Sequence, residues 1–149
     1  MDLLDALKSI ETGQHATNWR EAIRLAGKGL VESGATTDEY TDEMIEAVEQ
    51  NGPYIVIAPG LALAHSRPSP AVLRAGLSWV GLTEPVEFGH ATNDPVRLII
   101  GLAALDHDAH LEVMSTLALA LSDETRFERL LGATSPGEVR ALLAESAGN

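Results

Sequence analysis

The stretch Gly52-Pro53-Tyr54-Ile55-Val56-Ile57-Ala58-Pro59-Gly60-Leu61-Ala62-Leu63-Ala64-His65-Ser66-Arg67-Pro68 settles the architecture. Residues 54–57 are a continuous apolar run between turn-forming pairs, the pattern of a short strand buried on both faces. Ala58-Pro59-Gly60 turns the chain, and residues 61–64 read as a second short strand. A polar loop over 65–70 follows, and His65 stands at the point where strand gives way to loop.

On the N-terminal side the hydrophobic period is helical. Asn18 reads as the N-cap of a helix reaching about Ser33, with Trp19, Ile23, Ala26 and Leu30 on one face and Gly34 as its stop. Thr37 or Thr41 opens a second helix with Met44, Ile45 and Val48 inward, ended by Asn51-Gly52-Pro53. Before these, residues 2–9 are expected as a short helix and 9–14 as a short strand weakened by Gly13. On the C-terminal side, residues 72–82 and 96–105 read as longer strands, punctuated by Thr83-Glu84-Pro85 and Asn93-Asp94-Pro95. Asp106 is the expected cap of a helix over about 107–121, and helices at about 123–131 and 135–146 complete the chain. Strands this apolar on both faces lie between helical layers. The expectation is an α/β fold, a three-layer α/β/α sandwich on a small mixed sheet. Strand order and direction do not follow from the pattern.

The chain of 149 residues is expected to form one domain over its whole length, 1–149, with 45% apolar and 21% charged residues. No apolar run reaches the roughly 18 residues of a membrane span, and the start lacks the basic flank of a signal peptide. Cysteine is absent, which removes disulfides and thiolate chemistry and fits a reducing, cytoplasmic setting. Ten basic residues stand against 22 acidic ones, a net charge of −12, and the basic residues are scattered singly. Nucleic acid and anionic lipid are poor partners for such a surface.

Reactivity falls to the five histidines, His15, His65, His90, His107 and His110. A largely neutral imidazole at a strand mouth is a nucleophile, and Arg67 two residues on offers a donor fork suited to phosphate or carboxylate. The plainer reading is a surface histidine beside a solvated arginine. His110 falls in the first turn of an expected helix, where free amides and the helix dipole gather anions. His107 and His110 are spaced to share a helix face and invite a metal, but Asp106 and Asp108 already serve the helix start and no second ligand cluster is apparent. No metal and no cofactor are therefore expected. Ser66 has no nucleophile elbow, and the glycine-proline pairs are turns rather than phosphate loops. Trp19 and Trp79 read as core residues.

The opening stretch closely resembles the active-site segment of enzyme IIA proteins of the bacterial sugar phosphotransferase system, mannitol–fructose type, and in particular an ascorbate-like branch that typically reads GPYIVIAPGxALPHARP. The resemblance continues in order through Trp19-Arg20-Glu21-Ala22-Ile23, Glu87-Phe88-Gly89, Asn93-Asp94-Pro95-Val96, Gly101-Leu102-Ala103-Ala104, His110-Leu111 and Leu121-Ser122-Asp123. It implies an α/β/α sandwich in which His65 takes a phosphoryl group from the carrier protein HPr and passes it to a cysteine of enzyme IIB, feeding the membrane enzyme IIC. A second histidine, matching His110, supports the reactive one or its phosphate, and Arg67 is a candidate phosphate contact. Ala64 replaces the usual proline, Ser66 the frequent alanine, and Glu49 stands where the mannitol branch carries an arginine. The alternative is a regulatory module of the same fold that senses phosphorylation without serving a transporter. The sugar is not legible, and a homodimer is left open.

Overall fold

The computed structural model describes residues 3–147. Among them the order is α1 (Leu3–Ala6), β1 (Leu7–Gln14), α2 (Trp19–Glu32), α3 (Asp38–Asn51), β2 (Val56–Ala58), β3 (Leu61–Ala64), β4 (Gly76–Val86), β5 (Val96–Ala103), α4 (His107–Ala120), α5 (Glu124–Leu131) and α6 (Pro136–Ala147). The strands make one five-stranded mixed sheet, β1-β4-β5-β3-β2. β1 is parallel to β4 and β3 to β5, whereas the β4–β5 and β2–β3 pairs are antiparallel.

Alternation along the strands divides the core in two. Ala62, Ala64, Val80 and Ile99 face α2 and α3, and Leu61, Leu63, Trp79, Leu98 and Ile100 face α1, α4, α5 and α6. The expected three layers are therefore present. α2 lies close against the sheet, where the buried Ser78 hydroxyl donates to the Ala26 carbonyl at 2.7 Å. Glycine at 101 makes this approach feasible, because a Cβ there would stand 2.5 Å from Ser78 Oγ and 3.2 Å from that carbonyl oxygen.

The helix starts follow their capping residues. Asn18, Asp106 and Asp123 accept from the backbone N–H groups of Glu21, Ala109 and Arg126 at 2.9, 2.8 and 2.9 Å. Thr37 rather than Thr41 precedes α3.

Four expectations need correction. The N-terminal helix keeps only residues 3–6 of the expected 2–9 that the structure describes, because Leu7 joins β1 and pairs with Leu77. The apolar run 54–57 is strand only from Val56, since Tyr54 N–H bonds Gly52 O and Val56 N–H bonds Pro53 O in a turn. β4 begins at Gly76 rather than 72: Leu73 and Arg74 both donate backbone N–H groups to Ala35 O, and Val72 bridges Thr36. It also runs through Thr83-Glu84-Pro85 to pair Val86 with Val96 beyond a register shift, so this triplet is not a strand end. Both tryptophans serve the core as expected: Trp79 is fully buried, and Trp19 is half-buried and packed against the α2–α3 side, with the Arg20 guanidinium 4.3 Å above its ring.

Candidate functional site

β3 and β5 run parallel, so their carboxyl ends open on the same side, where ligands bind in open α/β sheets. β3 ends at Ala64 and hands the chain to His65, while β5 ends at Ala103 and leads through Asp106 into α4. Continuing the alternation of β3 puts His65 on the face of Leu61 and Leu63, the face α4 covers. The first turn of α4 then brings His110 alongside, with ring centroids 5.2 Å apart. Tyr54, carried by the turn before β2, also meets the His65 ring, in an edge arrangement with centroids 5.5 Å apart.

The His65 ring has a fixed tautomer. Nδ1 lies 2.7 Å from Leu63 O, and a carbonyl only accepts, so Nδ1 carries the proton and the lone pair is on Nε2. Burial pushes the His65 pKa below its ordinary value, and the Leu63 hydrogen bond opposes that shift. His110 is also lowered, first by burial and then by the neighbouring His65 and His107 rings. Both rings are thus held toward the neutral form.

The two histidines open into a cleft of about 880 Å³ whose lining includes Glu43, Glu46, Tyr54, Arg67, His107 and Leu111. Arg67 is exposed and close enough to Tyr54 for its charge to oppose the upward shift that burial gives that phenol. α3 fixes the loop after His65. The Tyr40 hydroxyl accepts the Ser66 N–H at 3.0 Å, and the Ser69 hydroxyl donates to Glu43 at 2.7 Å.

The structure therefore gathers His65, His110 and Arg67 at one cleft. Glu49 lies elsewhere, paired with Arg20 at 2.9 Å. His90 belongs to the β4–β5 loop, where its Nδ1 accepts two backbone N–H groups. Among the described residues, no group of three or more His, Asp or Glu side chains is placed to hold a metal ion. Sequence reasoning missed Tyr40, Tyr54, Glu43 and Ser69. Only Tyr40 left a trace, because a tyrosine on the buried face of a helix must find partners for its hydroxyl. Chemically, a nucleophilic Nε2 beside a second imidazole and an arginine can take up and hold a phosphoryl group.

An α/β sandwich with one histidine at the end of a strand and a second in the helix that follows its parallel neighbour is shared with enzyme IIA proteins. Residues 6–146 match the family described as phosphoenolpyruvate-dependent sugar phosphotransferase system, EIIA 2. The ascorbate-specific PTS system EIIA component of Escherichia coli K12 is 40% identical over 147 residues, covering 96% of each chain. The solution structure of the mannitol-specific cryptic phosphotransferase enzyme IIA of Escherichia coli is 31% identical, with a TM-score of 0.87 over 97% of this chain and 99% of that one. The Escherichia coli mannitol enzyme IIA, solved in complex with phosphorylated enzyme IIB, is 34% identical, with a TM-score of 0.82 over 93% and 95%. The chain belongs to the EIIA type 2 family and is a phosphotransferase component of a sugar phosphotransferase system. No helix among the described residues is long and apolar enough to cross a membrane.

Proposed function

We propose that the whole chain, 1–149, is a cytoplasmic phosphocarrier that accepts a phosphoryl group from phospho-HPr on Nε2 of His65 and passes it to a cysteine of enzyme IIB. The observation that supports this most is the tautomer of His65, with Nδ1–H given to Leu63 O and Nε2 free beside His110. In the forward step Nε2 attacks phosphorus in line. A new N–P bond forms as the N–P bond to the donor breaks, and the electron pair of that bond returns to the donor imidazole. The His65 ring gains positive charge while the phosphoryl group keeps its negative oxygens. Leu63 O steadies the first, and Arg67, His110 and the amino-terminal end of α4 act on the second. In the return step a thiolate of enzyme IIB attacks the same phosphorus and His65 leaves as neutral imidazole. The relatives' name makes an ascorbate-type system the first to test.

Incubation with phosphoenolpyruvate, enzyme I and HPr, followed by intact mass, tests the reading. The wild type should gain one phosphoryl group, and His65→Ala none while staying folded. His110→Ala should still label at His65, slowed by about 100-fold for the loss of one charge-neutralising donor. A His65→Ala protein that gains phosphate at the wild-type rate, or phosphate mapped to His110, overturns the assignment.

A further inference from the structure

Tyr40 is buried in α3 with 1% of its surface exposed, on the face of the sheet opposite His65. A phenylalanine would fill the same space, and a tyrosine pays desolvation of its hydroxyl unless that group is fully partnered. Here it is. The oxygen accepts Ser66 N–H at 3.0 Å, and the single proton goes to Leu102 O at 2.9 Å, nearer than Ser66 O at 3.2 Å. Burial lifts the phenol pKa to about 12, so the group remains a donor throughout the neutral range.

The two partners are not ordinary core groups. Ser66 N belongs to the peptide bond that follows His65, and Leu102 sits at the end of the strand that leads to His110. The β3–β5 ladder stops at the pair Ala64 and Gly101, one residue short of Leu102 and two short of Ser66. Beyond that pair the two strand ends diverge toward loop and helix, and the Tyr40 hydroxyl bridges them. We propose that Tyr40 is a positioning residue for phosphoryl transfer, its hydroxyl tying the His65 peptide to the end of β5 and so setting the placement of His65 against His110. The proposal rests on the reading of His65 as the phosphoryl acceptor. Its effect is on geometry inside the bound complex, because the hydroxyl is buried and touches neither donor nor phosphate. Phosphoryl transfer is sensitive to such geometry: a displacement of about 1 Å can cost 10²-fold in rate.

The test compares the wild type, Tyr40→Phe and Val139→Ala with purified phospho-HPr as donor. Val139, carried by α6, is fully buried and is not among the residues that line the cleft, and it serves as a control for lost stability alone. Tyr40→Phe should label at His65 with the KM for phospho-HPr unchanged and kcat lowered by about 10-fold or more. Val139→Ala should keep the wild-type kcat. A Tyr40→Phe protein with wild-type kcat overturns the proposal, as does an equal fall in both variants. Wild-type label on a residue other than His65 removes the underlying reading, and this proposal with it. Should Tyr40→Phe fail to fold, amide exchange in the wild type still decides: Ser66 N–H should exchange at least about tenfold more slowly than that of exposed Arg67, and equal rates would sink the bridge.

Discussion

An imidazole that attacks phosphorus must be neutral, and at His65 burial supplies that condition, lowering its pKa from 6.5 against the pull of the Leu63 carbonyl. Labelling by a constant supply of phospho-HPr should therefore keep its rate as pH falls through 6.5, where a free imidazole is already half protonated, and decline only at lower pH. The same shift has a stability consequence of fixed sign. The unfolded chain takes protons on His65 and His110 at a higher pH than the folded one does, so unfolding binds protons in that window. Stability contributed by the neutral rings is complete above the ordinary imidazole value and is lost as pH falls toward the lowered ones. Urea midpoints measured between about pH 7.5 and 5.5 should fall with acid, and His65→Gln should flatten the slope. A wild-type midpoint constant over this window, with a rate that halves at 6.5, would mean that neither ring is held neutral. At this scale residue type alone singles out His65, His110 and Arg67 as candidates, and the structure brings the three to one cleft. Tyr40 leaves only the trace of a tyrosine on a buried helix face, and its partners are not legible because its hydroxyl contacts backbone groups 26 and 62 positions away.

Between elements, α2 and α3 approach closely at Gly27. A Cβ there would overlap Thr41 Oγ1 and lie 2.8 Å from Thr41 Cβ. Rotating the threonine moves its hydroxyl but leaves its Cβ in place, so the helices themselves would have to part. Alanine gains about 1 kcal/mol over glycine in helix propensity, and overpacking of this kind costs about 1–3 kcal/mol. Gly27→Ala should therefore lower the urea midpoint, against propensity, whereas Gly137→Ala in α6, with open space around it, should not lower it. A raised midpoint for Gly27→Ala would show that the crossing has slack. Legibility follows the same division between local and distant causes. α2, α4 and α5 each begin at a side chain that caps its own helix, a contact three residues long. The start of β4 is instead set by Ala35 O, which takes the Leu73 and Arg74 amides and holds 72–75 against the α2–α3 loop. Apolar alternation from Val72 cannot reveal that competition. Leu7 is similar: helical by pattern, it becomes strand because pairing with Leu77 buries it.

For the molecule as a whole, strand order is what brings the site together, since β3 beside β5 joins a histidine from the middle of the chain to one from its last third. Nothing in local periodicity encodes that neighbourhood, which is why the pairing of His65 with His110 is visible in the sequence only through family resemblance. The charge, by contrast, is fully legible and sets a problem for function. A phosphoryl group must enter a chain of net charge −12, at a cleft whose lining holds Arg67 but also Glu43 and Glu46. Such a field repels a free anion and attracts a carrier with a basic surface, so the donor's own cations would bring the phosphate in. Interactions between exposed charges are screened over about 8–10 Å at physiological salt and over about 3 Å at 1 M. Raising salt from about 0.05 to 0.5 M should therefore lower kcat/KM for transfer from phospho-HPr by about tenfold or more, through slower association. The single-turnover rate at saturating donor should change little, because docking has already excluded most of the salt from the reacting atoms. A kcat/KM independent of salt would remove electrostatic attraction from the encounter, and one that rises with salt would show that the acidic surface repels the donor it has to meet.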